Sequence, residues 1–167
     1  MPSVAGGAKA MTADSIPPHL DPSLWLSDQP VTIPVKGVSM APFLEEGDRV
    51  EVVRAAPGDL RAGDLIVFMR NGEVVVHRFL AARRGLFLEK GDGQGRGNWA
   101  PLPEALGRVV GLWKAEERLH LTTDPWPSRM ASLGRRHLRA HRNAVFAENL
   151  PGTLLRRVFL RLCQRRP

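Results

Sequence analysis

Short apolar runs alternate with turn residues through the middle of the chain. The runs cover residues 50–54, 65–69, 73–80, 86–89, 109–114 and 118–121, and none repeats its apolar positions at helical spacing. Runs of this length between glycine- and aspartate-containing turns are typical of β-strands. The Asn71-Gly72 pair between two of them is a strong signal for a hairpin turn. The pattern therefore predicts an all-β domain, built as a barrel or a sandwich.

The two ends of the chain follow other patterns. The first thirty residues are small, polar and contain several prolines, which predicts a flexible arm. Beyond Pro125 and Pro127, residues 129–143 and 153–164 read as helices. We therefore predict three parts, an arm over residues 1–30, a β-domain over 31–124 and a basic helical extension over 125–167.

Charge is distributed unevenly over the 167 residues. Residues 1–127 hold 14 basic and 16 acidic residues, a net charge of −2, whereas residues 128–167 hold 10 arginines and one glutamate, a net charge of +9. The total of +7 is therefore a property of the C-terminal part. A β-domain without net positive charge argues against nucleic acid as the partner.

The C-terminal helix predicted over 153–164 has an apolar face and an arginine face. Such a helix could lie on an anionic membrane surface, or it could pack on the β-domain with its arginines in solvent. No run of 18 apolar residues and no secretory signal occur, so we expect a cytoplasmic protein, peripheral at the membrane if the helix binds there. The single cysteine, Cys163, excludes an internal disulfide and a cysteine-based zinc site.

Residues 37–48 form the most unusual segment, with the sequence Gly-Val-Ser-Met-Ala-Pro-Phe-Leu-Glu-Glu-Gly-Asp. Ser39 stands on irregular backbone between a glycine and a proline, so its hydroxyl and its own N–H could both face a bound carbonyl. A nucleophilic serine needs this exposure together with an oxyanion donor. The alternative is a turn serine that hydrogen-bonds within its own loop.

Two further residues could complete a serine-based catalytic site. His77 lies in the run after the Asn71-Gly72 turn, and imidazole is the side chain best suited to act as a base near neutral pH. Asp92 lies in a glycine-rich segment over residues 89–98 and could orient the histidine as the third member of a triad. The alternatives are a structural histidine in a strand and an aspartate that caps its own turn.

Together these segments resemble the signal peptidase family in content and in order. Residues 37–42 and the Gly-Asp at 47–48 resemble its nucleophile box, and the Val-His-Arg at 76–78 resembles its general-base box. The segments that resemble its remaining boxes are 63–68, 90–92 (Lys-Gly-Asp) and 107–111. The likeness extends from about residue 31 to residue 114, half of the chain.

His77, the residue at the general-base position, resembles the choice made in one branch of that family. Signal peptidases of the endoplasmic reticulum and of archaea place a histidine there, whereas bacterial signal peptidases and LexA-like self-cleaving repressors place a lysine. The histidine branch has a further acidic residue where this chain has Gly97 and Asn98. Signal peptidases also usually carry an N-terminal transmembrane helix, and we expect no such anchor here.

The resemblance implies a β-barrel-type fold and a serine endopeptidase without metal or organic cofactor. Ser39 would attack the peptide carbonyl, His77 would act as the base and Asp92 would hold the imidazole. The substrate would be an extended peptide or protein precursor with small residues before the cut. Two alternatives are a non-catalytic peptide-binding module on the same fold and a LexA-like self-cleaving regulator. The Ala-Lys-Ala at 8–10 and the Ala-Gly at 5–6 resemble sites for self-processing.

Overall fold

The computed structural model describes residues 29–103 and 106–148 and is mainly β, as the hydrophobic pattern predicts. Its elements are β1 (Val31–Pro34), β2 (Arg49–Arg54), a 3₁₀ turn (Pro57–Asp59), β3 (Leu65–Arg70), β4 (Glu73–Arg83), β5 (Leu86–Lys90), β6 (Asn98–Pro101), β7 (Leu106–Lys114), β8 (Glu117–His120) and α1 (Trp126–Glu148). The arm with its two candidate processing sequences, the helix expected at 153–164 and Cys163 lie outside the described residues.

The strands form one antiparallel sheet in the order β1-β2-β7-β3-β4-β5-β6, with β8 paired to β7. The nine-residue strand β7 contacts β3 near its start, β2 along most of its length and β8 at its end. In the described part of the chain no ladder joins β1 to β6, the two ends of this order. The sheet is therefore open, and the barrel closure that we expected from the resemblance is not seen.

The hydrophobic pattern does not predict β6. Its four residues follow a glycine-rich segment and end on Pro101, so they lack the apolar alternation of a half-buried strand. Pairing with β5, in which Leu88 faces Trp99, makes this segment a strand. Tertiary contact rather than local propensity therefore determines it.

The core lies on both faces of β3. Leu65 and Val67 belong to one cluster of buried side chains, whereas Ile66 and Phe68 belong to a second. A strand that is buried on both faces is apolar at every position, which explains why this run does not alternate. Because β3 is rigidly packed, it provides a fixed base for its hairpin partner, β4.

The Asn71-Gly72 turn joins β3 to β4, as the sequence predicts. Both turn residues have positive φ, 52° at Asn71 and 80° at Gly72, as a type I′ hairpin turn requires. This tight turn sets the register that places His77 opposite Ile66. β4 pairs with β5 only from Arg78 onward, so the half of β4 nearer the turn pairs with β3 alone in the described residues.

Helix α1 begins three residues before the predicted 129–143 and ends five residues after it. The earlier start is possible because Pro127 lies in the first turn, where the missing proline N–H costs nothing. Met130 is buried in the first core cluster. A Cβ on Gly134 would lie 2.5 Å from the Gly63 nitrogen, so this glycine permits close packing of the helix on the loop before β3. Within the described ranges, no helix has the length and apolar character needed to cross a membrane.

Candidate active site

The Ser39 turn is held by two side chains that enter the core. Met40 is 2% exposed and Leu44 is fully buried, and the Leu44 N–H donates to the Met40 carbonyl. Gly37, with a φ of 77°, turns the chain out of β1 toward this segment. Ser39 itself is half-buried at the surface of this turn. The turn therefore presents its hydroxyl from a rigid support.

The glycine-rich loop after β5 packs directly against this turn. The Gly93 N–H donates to the Ser39 carbonyl at 3.0 Å. A Cβ on Gly91 would lie only 2.4 Å from the same carbonyl oxygen. Only glycine can therefore stand at position 91 while the turn keeps its place.

The structure brings Ser39 and His77 together from positions 38 residues apart. His77 Nε2 lies 3.2 Å from Ser39 Oγ, within hydrogen-bonding distance. The imidazole is 3% exposed and meets the Phe68 ring edge-on. Its orientation is therefore fixed by packing, with one nitrogen facing the hydroxyl.

The other imidazole nitrogen, His77 Nδ1, is bound to the carboxylate of Glu89. Glu89 is 1% exposed, and its second oxygen accepts a hydrogen bond of 2.5 Å from Arg70 Nη2. Burial by itself raises the pKa of Glu89, but hydrogen bonding and charge from His77 and Arg70 outweigh it and hold that pKa below its ordinary value. The carboxylate is therefore charged when it faces the imidazole.

Asp92 does not occupy the place next to His77 that we expected. Its two carboxylate oxygens accept hydrogen bonds of 2.7 and 2.5 Å from the buried guanidinium of Arg78, and Oδ1 also lies 3.2 Å from His137 Nε2. Successive side chains of a strand point to opposite faces, so Arg78 faces away from His77. Asp92 lies on the Arg78 side and is a structural partner of that arginine.

Glu89 is not among the site residues that the sequence predicts. In the β4–β5 ladder Arg78 pairs with Lys90, and Phe79 pairs with Glu89, so Glu89 shares a face with His77. The available signal was a single carboxylate at the end of an otherwise apolar run, Leu-Phe-Leu-Glu. Such a residue is buried only when it has a partner.

The Lys90 side chain lies on the opposite face of β5 from Glu89. Its Nζ donates to the Gly91 carbonyl at 3.2 Å and to His137 Nδ1 at 2.9 Å. Burial lowers the pKa of Lys90, Asp92 opposes this shift and Arg78 adds to it. Within the described residues, Lys90 makes these two hydrogen bonds and none with Ser39.

A groove of about 580 Å³ opens beside Ser39 and His77. Residues 33–37, 39 and 40 line one side and residues 70–77 line the other. Both segments have strand edges that pair with no other strand in the described chain, since β1 pairs only with β2 and the first half of β4 only with β3. An extended peptide in this groove could therefore form backbone hydrogen bonds with either edge.

Comparison with protein families gives a match to the Peptidase S24-like family over residues 2–90. The chain belongs to the Peptidase S24-like family. The matched residues include Ser39, His77 and Glu89. Membership supports a peptidase activity, on another polypeptide or on the chain itself. Comparisons with curated proteins and with solved structures find no significant match.

Proposed function

We propose that this member of the Peptidase S24-like family is a serine endopeptidase of signal-peptidase type. The observation that carries the proposal is the distance of 3.2 Å between Ser39 Oγ and His77 Nε2, with Glu89 bound to the other imidazole nitrogen. Nucleophile, base and orienting carboxylate are thereby joined in one chain of contacts. Glu89 replaces Asp92 as the third member of the arrangement.

The chemistry follows from this order of contacts. His77 Nε2 accepts the Ser39 proton while Oγ forms a bond to the scissile carbonyl carbon. Nδ1–H donates to the charged Glu89, which fixes the tautomer and stabilises the imidazolium. The imidazolium then gives its proton to the leaving amine, and water hydrolyses the acyl-enzyme by the same route in reverse. The Ser39 N–H is the expected donor to the oxyanion.

The groove supports an extended peptide as the substrate. Strand edges bind main-chain groups, so they select for an extended backbone before they select for side chains. Val74, Val76 and Ile33 on the groove walls favour apolar side chains next to the edges. The small residues expected before the cut remain an implication of the likeness to signal peptidases.

A second candidate is self-cleavage. The family match begins at residue 2 and so includes the Ala-Gly at 5–6 and the Ala-Lys-Ala at 8–10. In that case the chain's own N-terminal segment would be the peptide in the groove. The catalytic residues and their roles would be the same.

Labelling with a serine-directed acylating probe tests the catalytic proposal. Wild type should be acylated at Ser39, and His77→Ala should react more slowly by about 10²-fold or more. Ser39→Ala should not react, whereas Ser132→Ala, which removes an exposed serine of α1, should react like wild type. Absence of labelling in folded wild type would contradict the proposal and favour the non-catalytic peptide-binding module.

A further inference from the structure

A second cavity, of about 600 Å³, lies between α1 and the glycine-rich loop. Pro42, Phe43 and Leu133 give it apolar walls, and Lys90 and Arg136 contribute positive charge. We call it the α1 cavity. None of its lining residues has a role in the chemistry described above, so its use requires a separate explanation.

The α1 cavity adjoins the groove beside Ser39. Gln94 lines both spaces, and the chain continues from Ser39 in the groove to Pro42 and Phe43 in the α1 cavity. A peptide bound along the strand edges with its scissile bond at Ser39 would therefore direct its remaining residues toward this second space.

The charges that line the α1 cavity do not cancel. Among the described residues that line it, Asp92 is the one acidic residue, and both of its oxygens accept hydrogen bonds from the fully buried Arg78. Lys90, only 2% exposed, donates to two neutral acceptors, the Gly91 carbonyl and His137. An ammonium has three N–H donors, and the contacts of Lys90 within the described residues use two of them, which leaves one for an anionic partner. The exposed Arg136 adds a second cation.

We propose that the α1 cavity binds an acidic side chain of the substrate. The acidic residue would belong to the part of the peptide, beyond the scissile bond, that does not pair with the strand edges. The carboxylate would pair with Lys90 and Arg136, and its aliphatic stem would pack on Phe43 and Leu133. This inference rests on the proposed peptidase function, because it uses Ser39 to define the two sides. It assigns a substrate class, peptides with aspartate or glutamate near the cut.

Peptide capture tests the α1 cavity without any catalysis. Ser39→Ala protein would be incubated with a pool of randomised peptides, and the bound peptides would be sequenced. We expect aspartate and glutamate to be enriched about fivefold over asparagine and glutamine, the ratio that one exposed ion pair can provide. Adding Arg136→Gln should remove most of this enrichment.

Arg139→Gln is the matched control, because Arg139 is also an exposed arginine of α1 but does not line the cavity. Equal loss of enrichment in both variants would indicate a general charge effect and overturn the proposal. Enrichment of apolar residues alone, or enrichment unchanged by Arg136→Gln, would also overturn it.

Cleavage of the same pool by the wild-type protein then locates the acidic residue relative to the cut. We expect the acidic preference on one side only. Acidic residues equally frequent on both sides would contradict the assignment. If no peptide is cut, the proposed peptidase function fails, while the capture result still decides whether the α1 cavity binds acidic peptides.

Discussion

Glu89 and Lys90 are consecutive residues of β5, and their side chains serve opposite faces of the sheet. Glu89 binds His77 beside Ser39, whereas Lys90 binds His137 on α1. Because side chains alternate along a strand, one short segment contributes both to the candidate catalytic site and to the attachment of the helix. Substitutions at neighbouring positions should therefore have different consequences.

Glu89→Gln should reduce the rate of acylation at Ser39. The amide keeps the size of the side chain but removes the charge that stabilises the imidazolium, and it can hold His77 in the wrong tautomer. Removal of an orienting carboxylate is expected to cost roughly 10²–10⁴-fold in rate. Kinetics of labelling by the serine-directed probe measure the change. A rate equal to wild type would exclude Glu89 from the mechanism.

Asp92→Asn should mainly affect stability. The fully buried Arg78 would lose its ionised partner, and breaking a buried ion pair costs about 3–5 kcal/mol of unfolding free energy. Urea denaturation measures this cost. The folded fraction should still be labelled faster than Glu89→Gln. A stable Asp92→Asn protein with the slower labelling of the two would restore Asp92 to the role first expected for it.

The positions of Ser39 and His77 could be predicted from sequence because local signals define both. Asn71-Gly72 fixes the hairpin register, and the glycine and proline around Ser39 mark an irregular turn. Glu89 could not be predicted in the same way, since its role depends on the pairing register of β4 with β5. A one-residue change in that register would exchange the faces of Glu89 and Lys90.

Gly91→Ala should displace the candidate nucleophile without altering any candidate catalytic side chain. The added methyl would lie 2.4 Å from the Ser39 carbonyl oxygen, so the turn or the loop must move. A displacement of about 1 Å at a reacting atom can cost about 10²-fold in rate. Gly95→Ala is the matched control, because nothing lies within 4 Å of its added methyl. Equal labelling rates for the two variants would contradict this positional role.

The free energy of unfolding should fall as the pH falls below about 6.5 because of His137. Burial lowers the pKa of His137 from its ordinary 6.5, Asp92 opposes this shift, and the nearby cations Lys90, Arg78 and Arg136 add to it. The unfolded chain therefore takes up the proton first, so this contribution favours unfolding as the pH decreases from 6.5. Urea denaturation across this range should give a flatter profile for His137→Gln. A profile as steep as that of wild type would contradict the prediction.

Self-cleavage, if it occurs, should remove residues 1–5 or 1–10, should require Ser39 and should be accelerated by Glu89. Cleavage within one chain is first order, so its half-life should not change when the protein is diluted. Cleavage between chains is second order, so its half-life should lengthen in proportion to the dilution. Intact-mass measurement during long incubation at two protein concentrations distinguishes these cases.

Ser39→Ala should keep its full mass, and Glu89→Gln should lose the segment more slowly by about the factor seen in probe labelling, because both reactions use the same imidazole. Full mass in wild type throughout would exclude self-processing and leave the cleavage of other peptides as the proposed function, since the groove and its candidate catalytic residues do not depend on where the peptide originates.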